Sequence, residues 1–317
     1  MNRADGYLFA YFGHEKSPDG EQVYFAVSSE EEPMAFAELN NGQPLLRSTV
    51  GQGGVRDPFL VRNEVTGGFH LLATDLSLYR SEDWDNAVRC GSRSIVIWDS
   101  PDLLTWGAPR LQELSPPSSG CTWAPEAVLD ETTGNYLVVW SSTIYGPDDP
   151  HRRANPHLRV LCATTQDFRT FGPIDTYLDP GHSVIDTTFL KHQGLIHRFT
   201  KDERPRSQEA PNGKHIFQEK TSSSVRFADY QFVAEGIGAS VLEHGEGPIA
   251  VSSPDAQSSY LLIDEFGGRG YIAFETSDPS SGAWKPVANA QLPPGARHGS
   301  LLALSHKERK LLLEHLA

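Results

Sequence analysis

Short apolar runs alternate with polar punctuation along the chain, and three kinds of run recur in the same order. The first kind is opened by a polar or charged group: "RDPFLV" at 56, "APEAVLD" at 124, "VIDTTFL" at 184, "EGPIAVS" at 246 and "RHGSLLAL" at 297. The second is strongly apolar and aromatic: "FHLLATDLSLY" at 69, "YLVVWSSTIY" at 136, "GLIHRFTKD" at 194, "SYLLIDEF" at 259 and, at the other end of the chain, "GYLFAYF" at 6. The third ends in a Ser/Thr/Asp turn followed by a bulky residue: "IVIWDSPDLLTW" at 95, "RVLCATTQDFRTF" at 159, "IFQEKTSSSVRFADYQF" at 216, "YIAFETSDPSSGAW" at 271 and "VYFAVSSEEEPMAF" at 23. Runs this short, rich in aromatic and β-branched residues and bounded by turn formers, read as strands.

The openings recur at roughly sixty residues, and a fixed long period marks a repeat architecture. Five full copies exist only if the run at 297 joins the strands at 6 and 23. Joining the two ends of a chain removes the unpaired edges that a ring of sheets would otherwise leave. The pattern therefore predicts an all-β chain with one domain over residues 1–317, a five-bladed β-propeller whose last blade draws strands from both termini. A two-sheet sandwich also makes many short strands, but it has no period near sixty. "HKERKLLLEHLA" at the end fits a helix and a closing strand equally by its apolar spacing.

Composition agrees: 38% hydrophobic and 10% aromatic residues supply a large core, and 28 Gly with 22 Pro supply many turns. Charge removes partners. With 27 basic against 41 acidic residues, net −14 and no Lys/Arg run, the chain does not suit nucleic acid. No apolar run is long enough to cross a membrane, and "MNRADGYLFAYF" lacks the pattern of a secretory leader, so the chain as it stands reads as cytoplasmic. A leader removed beforehand would make it secreted or periplasmic. Cys90, Cys121 and Cys162 fit neither a disulfide framework nor a metal site and read as reduced structural thiols. The Gly pairs at 53 and 67 lack the strand-to-helix context of a phosphate loop.

In a propeller the first strand of each blade lines the axis, so the residues that open those strands converge on one face. They are Asp57, Glu126 or Trp123, Asp186, Glu246 and His298. Singly, each carboxylate has a structural reading: a turn cap paired to Arg56 for Asp57, a backbone acceptor for Asp186, a solvated loop residue for Glu246. Together they form a concentration of buried charge that structure alone would not maintain. Carboxylates in a concave, aromatic-lined pocket suit glycosidic bond cleavage, which needs one protonated and one ionised acid. Trp123, Tyr79 and Tyr145 are the aromatics placed to stack on a sugar; Arg56 and Arg269 are candidate hydroxyl binders, or structural ion pairs; Lys201, Asp202 and Glu203 either rim the pocket or are solvated.

These residues resemble family 43 of the glycoside hydrolases, five-bladed propellers that act mainly on arabinose- and xylose-containing polysaccharides. The likeness runs through the whole chain and is carried by the order of "RDPFL", "WAPE", "VIDTTFL", "EGP" and "RHGS". It implies an inverting glycosidase with Asp57 as general base, Asp186 as the group that tunes the acid and orients substrate, and Glu246 as general acid. It also implies that no cofactor is required, although a calcium ion in the central channel near His298 is compatible with it. Glu126 stands where many relatives carry Asp, and about fifty residues precede Asp57 because the closing blade contributes two strands first. The implied activity is an exo-acting α-L-arabinofuranosidase, with β-xylosidase or exo-β-1,3-galactanase as alternatives. A non-catalytic sugar-binding propeller is the competing class, and an invertase-like retaining enzyme a third.

Overall fold

The computed structural model describes residues 4–226 and 228–317. Five four-stranded antiparallel sheets follow one another around an axis. Blade 1 starts with inner strand Val55–Arg62, blade 2 with Trp123–Asp130, blade 3 with Val184–His192 and blade 4 with Glu246–Ser252. Blade 5 pairs Arg297–Ala303 with Tyr7–Phe12, followed by Tyr24–Ser28 and Phe36–Glu38, so both ends of the chain close the ring. All fifteen strands expected from the pattern are present.

The five outermost strands were not apparent from the pattern. Arg110–Glu113, Asp175–Leu178, Gln231–Ile237, Lys285–Pro286 and Phe36–Glu38 are mostly short and largely exposed, so no apolar alternation marks them. The second strands are the reverse: Phe69–Asp75 is buried throughout, and so is Tyr7–Phe12. Sheets buried on both faces produce continuous apolar runs rather than alternation.

The C-terminal ambiguity resolves as a helix, His306–Leu316. Ser305 and Glu308 form a capping box at its start, which satisfies amides that a helix otherwise leaves unpaired. Leu312 is buried in the core between blades 5 and 1, Glu308 pairs with Arg62 of blade 1, and Arg309 bonds Glu30 and the Ser28 carbonyl of blade 5. The helix therefore packs over the seam where the two termini meet. Two short helices, Leu78–Ser81 and Trp84–Cys90, lie in an insertion between the second and third strands of blade 1. No helix among the described residues is long and apolar enough to cross a membrane.

Candidate active site

Each inner strand carries a bulge at its opening, and the bulges set the site. Arg56 pairs with Thr74 and Phe59 with Leu72, so two residues face one partner; the same slip follows Trp123, Ile185 and Glu246. In blade 5 one extra residue, His298, lies between the paired Arg297 and Gly299. The first bulged residue of blades 1 to 4 has a left-handed backbone: φ is 51° at Asp57, 49° at Ala124, 54° at Asp186 and 50° at Gly247. Such conformations cost a non-glycine residue roughly 1–2 kcal/mol and are characteristic of sites where a side chain must be re-aimed.

This register corrects the set of equivalent openings. The true equivalents are Asp57, Ala124, Asp186, Gly247 and His298, and the positions just before them are Arg56, Trp123, Ile185, Glu246 and Arg297. Glu246 therefore belongs to the neighbouring ring of positions, and Glu126 is not at the opening. It lies deeper, level with Phe59, Thr188, Ile249 and Ser300, with which it lines a central cavity of about 350 Å³.

A third set of positions explains how the openings are held. The second-strand residues paired with the positions just before the openings are Thr74, Ser141, Lys201, Asp264 and Phe12, and each serves the next blade. Thr74 accepts from the Ala124 amide at 2.8 Å, and Ser141 accepts from the Asp186 amide at 3.3 Å. Lys201 Nζ donates to Glu246 Oε2 at 2.9 Å, and Asp264 takes the His298 amide at 3.3 Å and Arg297 Nε at 2.6 Å. Phe12 lies under the Arg56 guanidinium, 4.6 Å from ring centre to Cζ. Sequence reading missed Thr74, Asp264 and Arg297 because their relevance depends on register, although Thr74 and Asp264 stand at the same point of their repeats.

Asp57, Asp186 and His298 converge on the axis. His298 Nδ1 is 3.3 Å from Asp57 Oδ1 and 3.9 Å from Asp186 Oδ1. Burial disfavours the imidazolium, yet Asp186 and Asp57 push its pKa up to about 10. Burial would raise Asp57, but the adjacent His298 charge and hydrogen bond, Arg56 and the Thr74 hydroxyl at 2.7 Å hold it below the ordinary carboxylate range. Asp57 is thus ionised. Asp186 accepts from the Gly247 amide at 3.1 Å; burial pushes it to about 6 against His298 and Lys201, with Glu246 adding repulsion. Burial likewise pushes Asp264 to about 6 and Glu126 to about 8.

Glu246 is clamped by two cations. Lys201 takes one oxygen and Arg297 Nη2 the other, each at 2.9 Å. Burial raises its pKa, but Lys201 and Arg297 outweigh it and keep Glu246 ionised in the free site. Lys201 also bonds Glu203 at 2.8 Å and is buried, so it belongs to the site wall, whereas Asp202 is engaged by Arg204 away from Glu246.

The remaining expected residues divide. Trp123 is partly exposed and meets Trp84 edge to face at 6.1 Å, a neighbour that sequence reading did not single out. Arg56 is buried and paired at 3.0 Å with Glu21 rather than with Asp57, so it is a structural cation of the wall and not a free hydroxyl binder. Tyr145 is buried beneath the Arg152 guanidinium at 5.5 Å and offers no open ring face for stacking. Arg269, on the hairpin between the second and third strands of blade 4, folds back onto Glu265 at 2.6 Å and the Val241 carbonyl, the ion pair of its structural reading. Cys121 is buried, its thiol pushed up to about 12 by burial, and is structural. Among the described residues, the one group of three or more metal-ligating side chains within reach of a single ion is Asp5, Glu30 and His306 on the surface, away from His298.

A five-bladed propeller with buried carboxylates on its axis is the architecture of a class of glycosidases, and the chain belongs to the family 43-related group, described as a probable glycosyl hydrolase domain, which matches residues 2–310. It is 29% identical over 349 residues to an α-L-arabinofuranosidase of Bifidobacterium longum subsp. longum, a match that covers 90% of this chain. The chain spans 32% of that protein's length. Solved structures share the fold at low identity. The Fusarium graminearum α-L-arabinofuranosidase Arb93A with an iminosugar inhibitor has a TM-score of 0.57 at 15% identity, covering 95% of this chain and 82% of its own. The catalytic domain of a family 62 α-L-arabinofuranosidase from Coprinopsis cinerea has 0.51 at 13%, covering 94% and 78%, and a thermostable family-43 glycoside hydrolase 0.52 at 17%, covering 80% and 81%.

Proposed function

We propose that the protein is an inverting, exo-acting α-L-arabinofuranosidase that removes a terminal arabinofuranose from a carbohydrate side chain. The observation that carries this reading is the pairing of an ionised, partly buried carboxylate, Asp57, with a second partly buried carboxylate, Glu246, on the same mouth of one propeller. The Bifidobacterium relative is the support for the sugar. Asp57, fixed by Thr74 and His298, takes a proton from the attacking water. Glu246 protonates the leaving oxygen. For that it must first lose part of its cationic clamp and take up a proton from solvent: as the leaving oxygen displaces Lys201 or Arg297, burial and the neighbouring charge of Asp186 raise its pKa, and Glu246 binds the proton it then gives to the leaving oxygen. The chemistry moves protons and water only, so no step runs through a cofactor or through a cation at His298.

Activity on 4-nitrophenyl α-L-arabinofuranoside, with little on the β-D-xyloside or β-D-galactoside, is the expected specificity; cleavage of the xyloside alone overturns the sugar assignment. Asp57→Asn lowers kcat by roughly 10²–10⁴-fold on every substrate. Glu246→Gln costs far less on the 4-nitrophenyl glycoside, whose leaving group needs no proton, than on an oligosaccharide. Equal losses on the two substrates contradict the acid role of Glu246.

A further inference from the structure

The blade 1 insertion, residues 76–91, is built onto the mouth of the site. Its second-strand stem ends beside the opening of blade 1, since Val55 pairs with Asp75. Leu76, Leu78 and Ala87 form a small core of their own against Trp123. Buried Glu21 ties the insertion to the wall: it accepts from the Leu78 and Tyr79 amides at 2.9 and 3.1 Å, from Ser77 Oγ at 2.8 Å, and from Arg56, the residue before Asp57.

On this anchored segment Trp84 is 51% exposed. It is held without being covered: Trp123 meets it edge to face, and the Arg56 guanidinium lies 5.2 Å from its ring. A large exposed indole fixed from two sides costs apolar hydration that folding does not recover. Tyr79, 42% exposed, is the other large aromatic left open on the same insertion. Charge stands beside this ring: Arg56, already held by Glu21, lies over it, and Glu15, 3.7 Å from Arg56 and partly exposed, is the charged group left for a ligand's hydroxyls. A protein partner prefers a continuous apolar surface with a polar rim, whereas a pyranose needs an aromatic plane for its C–H face and charged groups for its hydroxyls.

We propose that Trp84 is the platform of a leaving-group subsite, taking the pyranose ring of the oligosaccharide to which the terminal furanose is attached. The inference rests on the arabinofuranosidase reading and adds the chemistry of the next sugar. A terminal furanose occupies the axial funnel at Asp57 and Glu246, and the next ring emerges at the rim where Trp123 leads to Trp84.

The test compares kcat/KM on arabinofuranosyl-substituted xylo- and galacto-oligosaccharides with kcat/KM on methyl α-L-arabinofuranoside, which has no second ring. Trp84→Ala and Trp84→Leu are expected to lower the ratio of oligosaccharide to methyl glycoside activity by about tenfold or more, and Trp84→Phe to keep most of it. An unmoved ratio in both Ala and Leu variants overturns the platform, whether activity on the two substrates stays or falls together; a full loss of preference in the Phe variant as well contradicts stacking as its basis. A wild-type protein inactive on every arabinofuranoside overturns the underlying reading and the occupant with it, whereas an active wild type with an unmoved ratio overturns the subsite alone.

Discussion

Thr74 shows how single atoms connect two blades to the chemistry. Its hydroxyl donates to Asp57 Oδ2 at 2.7 Å and accepts from the Ala124 amide at 2.8 Å, so one group helps keep the base ionised and satisfies a strained backbone. Thr74→Val removes a donor from the charged form of Asp57, which raises its pKa and moves the acidic limb of the kcat/KM profile to higher pH. It also leaves a buried amide unpaired, at a cost of roughly 1–3 kcal/mol. Thr74→Ser keeps both bonds and is expected to keep the wild-type limb; a Val variant with an unmoved limb shows that Thr74 does not tune the base. The carboxylates were legible in the sequence because each begins or adjoins an apolar run. Their partners Thr74, Lys201, Asp264 and Arg297 act only through strand register, and a sequence does not display register.

The bulge is the element that turns a structural strand into a reactive one. Gly247 shows the constraint most sharply: its φ is 50°, and a Cβ there would lie 2.6 Å from His298 Cγ. Gly247→Ala therefore combines left-handed strain with overpacking and is expected to destabilise by roughly 2–4 kcal/mol. It also displaces the imidazole between Asp57 and Asp186. Thermal unfolding and kcat measured together check this; wild-type values for both contradict the geometry. At this scale the sequence showed fifteen strands through apolar runs and turn chemistry. It hid the outer strands, which bury too little to leave a pattern, and it hid the bulges, so Glu246 and Glu126 were grouped with Asp57 and Asp186 although Gly247 and Ala124 are the aligned residues.

Closure governs the molecule as a whole, since the blade that supplies His298 exists only when the chain ends meet. The ring gathers titratable groups on its axis, and their linkage to stability has a definite sign. Glu126 has its pKa raised by burial from 4.5 to about 8, so it binds its proton more tightly folded than unfolded. The stability it contributes is complete below pH 4.5 and is lost as pH rises through about 8. His298, raised from 6.5 to about 10 by Asp186 and Asp57 against its burial, loses its contribution between those values. The melting temperature is thus expected to fall on the alkaline side, and Glu126→Gln to flatten the part of that fall below about pH 8; an identical profile in the variant contradicts a protonated Glu126. The five-fold period made the ring legible in the sequence. The charge field on its axis was not, because it depends on which of the converging side chains end up within 3 or 4 Å of one another.

If Asp57 delivers water to the sugar directly, no covalent intermediate forms and the anomeric centre inverts. Time-resolved proton NMR of the wild-type enzyme on 4-nitrophenyl α-L-arabinofuranoside reads this in the first product formed. β-L-Arabinofuranose is expected to appear first and then to mutarotate; α-L-arabinofuranose appearing first contradicts direct displacement.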